Sequence, residues 1–398
     1  MSERRLHWQV MAEGPRPARR PGFWRRREDE MEIGSWWAPW FRLIAGLLIL
    51  CSGGVLAQSA PQVGDGATQI ALIWEGPRSG PPAQADKTLV YIAEDLKNAG
   101  ILGVGEGIRE AAAVIGWRVR FLDIGGADAQ RDAVFSQALG LQPDGVIFGG
   151  GDAVANRRNL QLFQQRGIPV LGWHAAPFPG PIAGTPVRLN VTTDSLSVAR
   201  RAAQFVIESS QGAAGVVIFT DSRYAIALKK SDTMAEAVRH CASCALLSIE
   251  DVSLSTAFTE MPRVTQALLQ RYGERWTHSL AINDLYFDHA VTTLVRMGHF
   301  PDGAPINVSA GDGSPSAFMR IRHHSYQQAT VPEPLYMQGW QLVDELNRLF
   351  AAEPLSGYVN PAYLVTGDTL RSSRKADIFD PDNGYRDYYR RIWTGDAH

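Results

Sequence analysis

From Thr88 onward, short apolar runs rich in β-branched residues alternate with amphipathic runs of helical period, and this alternation restricts the fold class. The strand runs are Leu89-Val-Tyr-Ile-Ala93, Arg118-Val-Arg-Phe-Leu-Asp123, Gly145-Val-Ile-Phe148 and Ile168-Pro-Val-Leu-Gly-Trp173. Helical stretches fall between them at Gly103–Ile115, near Arg131–Leu139 and at Ala155–Arg166. Strands that are continuously apolar are covered on both faces, which is the property of a parallel sheet sandwiched by helices. The pattern then restarts with helix Ser195–Ser209, strand Gly215–Phe219, helix Ala227–His240 and strand Leu246–Val252. Helix Pro262–Tyr272, strand Ser279–Ile282, helix Tyr286–Met297 and strand Ile306–Ser309 complete it. A last helix, Gln338–Phe350, precedes an aromatic-rich tail. The expectation is an α/β protein of two doubly wound lobes.

Upstream, Arg42 is followed by the apolar run Leu43-Ile-Ala-Gly-Leu-Leu-Ile-Leu-Cys51 and a small-residue exit ending at Ala57. A positive charge, a short apolar core and small residues describe a secretory signal, too short to span a bilayer as a helix. Cleavage is expected after Ala57, with Ala60 second, and Met31 is the expected start, because the Arg-rich stretch before it lacks apolar periodicity; a long n-region is the alternative. Leu50 stands before Cys51 where lipoprotein processing needs a small residue, so a soluble periplasmic protein is expected. No later run approaches the ~18 apolar residues of a membrane helix. Residues 58–85, rich in Pro, Gly and Ala, read as an extended lead-in. Its apolar run Ile70–Trp74 fits either packing on the first lobe or an edge strand.

The chain carries 39 Lys and Arg against 41 Asp and Glu, and nine of those Arg but only six of those acids precede residue 58. The mildly acidic remainder argues against nucleic acid or an anionic membrane surface as partner. Beyond the signal the cysteines are Cys241 and Cys244, in Cys-Ala-Ser-Cys. In an oxidising compartment they form a local disulfide. Ala245 stands where haem attachment needs His, and a redox motif would open a helix rather than follow the run Thr233–His240.

Ligands of open α/β sheets bind beyond the carboxyl ends of the strands. There the sequence places Glu94-Asp-Leu-Lys-Asn98, Gly149-Gly-Gly-Asp152, Trp173-His174, Thr220-Asp-Ser-Arg223-Tyr224, Asn283-Asp284 and Gly311-Asp312-Gly313. Polar groups with aromatic residues suit a small polar ligand held by hydrogen bonds and stacking. The competing reading makes Asp152, Asp284 and Asp312 helix caps and Trp173 a core residue. Gly103-Val-Gly105-Glu-Gly107 reads as a strand-to-helix turn, but its G-x-G-x-G spacing departs from the dinucleotide fingerprint. No G-x-S-x-G elbow or H-E-x-x-H helix is present. His323-His324 reads as a solvated turn, and Asp380-Pro-Asp382-Asn-Gly384 lacks the distal Glu of a calcium loop. The triplets at Asn190 and Asn307 read as chance matches to the glycosylation pattern. No metal or cofactor is expected.

Several stretches together resemble the type I periplasmic solute-binding proteins, the ribose- and xylose-type receptors of ABC importers. They are Lys87-Thr-Leu-Val-Tyr-Ile-Ala, Gly105-Glu-Gly-Ile-Arg-Glu-Ala-Ala, Leu141-Gln-Pro-Asp-Gly-Val-Ile, Gly167-Ile-Pro-Val-Leu-Gly-Trp, Ala281-Ile-Asn-Asp and Ala310-Gly-Asp-Gly. The resemblance spans about 86–370 and implies two Rossmann-like lobes joined by a three-strand hinge. Crossings would fall near Leu189–Thr193, Gln327–Val331 and Ala362–Thr366. The first lobe would be 86–190 with 331–361, the second 191–330 with 362–378, and 379–398 a tail. Asn98 and Asn283 match the family's sugar-binding asparagines, and Asp312 its hydroxyl-accepting carboxylate. Lys230 falls where an Arg is common, and His174-Ala175 where a ribose-type site has Asp-Arg. Gly100 and Ile101 replace stacking aromatics, for which Trp173 and Tyr224 are the available substitutes. With Asp152, these residues form the expected ligand set.

The implied function is capture of a sugar-like solute by a monomer that delivers it to an ABC permease. A receptor that signals to a membrane kinase or chemoreceptor is the alternative within the binding class. An exported nucleotide-dependent oxidoreductase using the Gly103–Gly107 turn is the alternative of another class. A cytoplasmic regulator on the same fold is disfavoured by the export signal and by the lack of a helix-turn-helix pattern.

Overall fold

The computed structural model describes residues 73–372 and 379–395; the expected signal and its Ala57 exit lie outside them. The first sheet holds β1 (Thr88–Ala93), β2 (Arg118–Asp123), β3 (Gly145–Gly149), β4 (Val170–Trp173) and β5 (Val187–Val191). Its order is β2-β1-β3-β4-β5 and every pairing is parallel, with Leu89 opposite Gly145 and Ala93 opposite Gly149. Helices α1 (Ala99–Val114), α2 (Asp128–Gly140) and α3 (Arg157–Gln164) connect its strands. Successive side chains of β1 enter different cores, because a strand alternates its faces. Val90 and Ile92 meet Phe135, Phe148 and Phe163, whereas Leu89 and Tyr91 join Val104, Ile108 and Trp340.

Beyond β5 the chain enters a second half through α4 (Ser195–Ser209), β6 (Gly215–Thr220), α5 (Ala225–His240) and β7 (Ala245–Asp251). Then follow α6 (Ala257–Tyr272), β8 (His278–Ala281), α7 (Leu285–Arg296), β9 (Ile306–Ser309), α8 (Pro315–Arg322) and β10 (Ala329–Thr330). Next come α9 (Leu335–Phe350), β11 (Val365–Thr366), α10 (Gly367–Ser372) and α11 (Tyr385–Thr394). The second sheet runs β11-β10-β9-β8-β6-β7, with only β10–β11 antiparallel. Among the described residues, no helix is long and apolar enough to cross a membrane.

Helix α1 corrects one expectation. It begins at Ala99, four residues before Gly103, because Asn98 caps it by accepting from Gly100 N at 2.9 Å. The glycine cluster therefore lies inside a helix, not in a phosphate-cradling turn. Gly103 and Gly107 give α9 close approach, while Gly105 makes room for Phe121 and Tyr91. A Cβ on Gly107 would stand 2.7 Å from the Tyr336 backbone, and one on Gly339 2.5 Å from the backbone at Gly107–Ile108. The oxidoreductase reading loses the turn on which it rested.

The expected tail is also reassigned. Tyr385, Tyr389, Ile392 and Trp393 of α11 are buried in the first half's core beside Trp340 and Trp74. Trp393 stacks on Trp340 at 5.3 Å and donates Nε1–H to Asp344 at 2.9 Å. Trp74 packs 5.4 Å from Tyr389, and the described part of its run forms no strand. The lead-in is held by Ala83 N–H donating to Trp393 O at 3.0 Å. Cys241 and Cys244 are disulfide-bonded in the turn after α5. Asn190 is buried, bonding Ala175 N, Ala176 O and Phe178 O, so its glycosylation triplet is closed to modification.

Gly107→Ala should overpack the α1–α9 crossing and cost about 1–3 kcal/mol. Urea unfolding checks this, and an unshifted midpoint would mean the two helices do not meet backbone to backbone.

Candidate functional site

The carboxyl ends of the two sheets face each other across a cavity of about 340 Å³. From the first half Glu94, Lys97, Asn98, Ile101, Trp173 and His174 line it. Tyr224, Lys230, Ile282, Asn283 and Asp312 line it from the second.

Asp312 occupies the turn after β9. Buried Asp284 shapes that turn by accepting from Gly313 N at 2.8 Å, Gln327 Nε2 at 2.6 Å and Thr330 Oγ1 at 3.3 Å. Burial raises the Asp284 pKa, and these donors act against the rise. Asp284 is thus a structural clamp, while its neighbour Asn283 reaches the cavity. Asn283 Oδ1 accepts from Leu285 N at 2.9 Å at the start of α7, and its Nδ2 donates to Asp312 Oδ2 at 2.8 Å. That carboxylate abuts the other half. A Cβ at Gly100 would lie 2.3 Å from Asp312 Oδ2, so only a glycine admits this approach.

His174 extends the contact. Its backbone is left-handed at φ 49°, and its ring stacks on Trp173 at 4.0 Å and 6°. Nδ1 lies 3.7 Å from Asp312 Oδ1, and Nε2 lies 3.1 Å from Glu333 Oε1. Trp173 is fully buried and donates Nε1–H to Gln338 Oε1 at 2.6 Å. It therefore backs the His174 ring, with which it shares the cavity wall.

Glu333 was missed by sequence reasoning and has no local signal. It lies between β10 and α9, where the chain returns to the first half. It accepts from Thr193 N (3.2 Å) and Oγ1 (2.6 Å), in the outward crossing, and from Gln338 Nε2 (2.5 Å). Burial alone would raise its pKa; the charges of His174 and Lys230 outweigh burial and bring it to about 2. Lys230, itself buried, donates to Ala310 O at 2.7 Å and keeps two further N–H groups.

At another point of the rim Tyr224 donates to Glu94 Oε1 at 3.4 Å, again joining the halves. Glu94 is buried and held by Arg131 through two 2.7 Å bonds. The hydrogen bond to Glu94 is the first cause raising the Arg131 pKa. Glu94 follows β1 directly, so the strand-end rule reaches it; Arg131, on α2, carries no comparable signal. Asp152 is not brought into the cavity. Its Oδ1 accepts from Val154 N and Ala155 N at 2.8 and 2.9 Å, the ordinary use of Asp in a turn.

A family model described as a periplasmic binding protein domain matches residues 89–354. The chain belongs to this family. Its members are solute-binding proteins, and the two facing sheets have the type I fold of the family. No curated protein matches the chain. Similar solved structures include a glucose-galactose binding protein from Geobacillus stearothermophilus, at 16% identity, 72% and 99% coverage of this chain and that one, and TM-score 0.62. A sugar ABC transporter protein from Yersinia enterocolitica matches at 15% identity, 80% and 99% coverage and TM-score 0.65. An ABC transporter solute-binding protein from Agrobacterium vitis with bound allitol matches at 18% identity, 71% and 96% coverage and TM-score 0.60. At such identities the likeness shows the fold.

The Glu333 carboxyl, lowered from 4.5 to about 2, stabilises the fold fully above pH 4.5 and loses that contribution as pH falls toward 2. Glu333→Gln should be less stable than the parent by an amount on the order of 3 kcal/mol at neutral pH that shrinks through this window. Urea unfolding of both proteins across it is the check; a pH-independent difference would refute the lowered carboxyl.

Proposed function

We propose that this protein captures a small, sugar-like solute between its halves in the periplasm and delivers it to an ABC permease. The observation that carries the reading is Asp312, a carboxylate of the second half seated in the cavity between Asn283, His174 and the Gly100 backbone. Asp312 and Asn283 offer an acceptor and a donor side by side, the arrangement that grips neighbouring hydroxyls. Lys230 and Asn98 add N–H donors, and Glu94 and Tyr224 add oxygens from opposite sides. Each such bond contributes about 0.5–1.5 kcal/mol, more at the charged acceptor. Ile101 and Ile282 supply apolar surface for the C–H face of a ring. Gly100 serves as clearance for Asp312 and not as a ligand contact, and Asp152 has no part in binding.

Because the set is divided between halves, ligand binding favours their closed arrangement. The connections after β5, after β10 and after α9 act as the hinge, and the permease reads the closed shape. Relatives of the fold named for glucose and galactose binding, or seen with allitol, support a polyol-like ligand. Export relies on the segment ending at Ala57, and the mature protein acts as a monomer.

A thermal-shift screen of aldoses, polyols and sugar acids should raise the melting temperature for one class. Asp312→Ala and Asn283→Ala should abolish the rise with little change in the ligand-free value, whereas Asp284→Ala should lower the ligand-free value itself. Gly100→Ala should weaken binding at least tenfold, about 1.4 kcal/mol, because the added Cβ displaces Asp312. Large ligand-free losses for Asp312→Ala and Asn283→Ala would make them structural caps and refute the site. Deleting the gene should abolish uptake of the active compound; intact uptake with a lost transcriptional response would favour the sensor reading.

A further inference from the structure

One wall of the cavity is unlike the rest. Leu254, Phe258, Leu285 and His289, all from the second half, line it. Leu285 and His289 are one turn apart on α7 and share its face. Phe258, in the first turn of α6, meets the His289 ring edge to face at 5.5 Å. Leu254 lies in the loop that leads into α6. The wall continues to solvent, since Phe258 lines the cavity while being 73% exposed. Burial holds the His289 pKa below the ordinary value, with Asp288 and Arg320 acting in opposite directions, so its ring is neutral near pH 7.

A single exposed Phe is unremarkable on a protein surface; an exposed Phe continuous with three other weakly polar groups inside a ligand cavity is not. Hydroxyls placed against Leu254, Phe258 and Leu285 would lose water without gaining partners, and the polar atoms of this wall are those of Ser255 and the His289 ring. Across the rim, Asp95 Oδ1 is already engaged by Lys97 N at 3.0 Å. Polar anchoring is concentrated instead on Asp312, Asn283 and Lys230. We propose that the ligand is a glycoside: its sugar sits in the polar end and its apolar aglycone lies against Phe258 and His289. This rests on the sugar-binding reading above and adds the class of substituent.

The experiment is calorimetric titration of the protein with glucose, galactose, xylose and arabinose, each free and as the α and β methyl and phenyl glycosides. A phenyl glycoside should bind about threefold to tenfold more tightly than its methyl counterpart, the scale of one aromatic contact. In Phe258→Ala that ratio should fall to near one, with the ligand-free melting temperature unchanged. Free or methyl sugars that bind while phenyl glycosides bind no better would overturn the aglycone site alone. Absence of binding by every probe would overturn the glycoside proposal, and the sugar-binding reading falls with it when the polyols and sugar acids of the thermal-shift screen fail as well. A Phe258→Ala protein that keeps the phenyl preference but loses uptake would assign Phe258 to the permease surface and overturn the proposal.

Discussion

A carboxylate set against a bare helix backbone governs this molecule. Asp312 reaches α1 only because Gly100 has no Cβ, and the cavity's shape follows from that approach. The second half prepares the carboxylate in layers. Asp284 fixes the turn from below, and Asn283 orients one oxygen from the side. The first half answers with His174, tilted into place by a left-handed backbone and by the fully buried Trp173 behind it. Neither half alone presents a complete hydrogen-bonding set.

The same charges tie the site to the connections between halves. Glu333 holds Thr193 of the outward crossing, while it lies itself on the return and faces His174 and Lys230. A buried carboxylate with such partners is costly to leave unpaired, which favours one arrangement of the crossings. Asp312 is linked to Glu333 through the His174 ring between them, so site and hinge share one network. On the outer side, α9 carries the first half's core. Glycines let α1 lie against it, and α11 with Trp74 seals it with stacked aromatic rings.

Much of the fold was legible in the sequence because it is written in local periodicity. Helix Ser195–Ser209 and strands Arg118–Asp123 and Ile306–Ser309 begin and end where the pattern puts them. Errors arose where local signals have two physical meanings. Gly103, Gly105 and Gly107 look like a phosphate turn because glycine serves close approach in either setting; here Gly107 admits the α9 backbone, Gly103 the Leu335 side chain and Gly105 the rings of Phe121 and Tyr91. Short elements such as β10 and β11 carry no period of their own, and it was the family resemblance that placed strand crossings over them; α11 escaped because its apolar residues are mostly aromatic and spread among Arg and Asp.

By itself the sequence determined the class of architecture, the strand ends from which a site can be built and the pairing of Cys241 with Cys244. These depend on residues within one turn or one strand of each other. Only the tertiary structure decided that Asp152 closes its own turn, that Asp284 clamps while Asn283 reaches out, and that Glu333 lies beneath His174. Those roles depend on which distant groups come within about 3 Å, and chain packing, not local spacing, sets that distance.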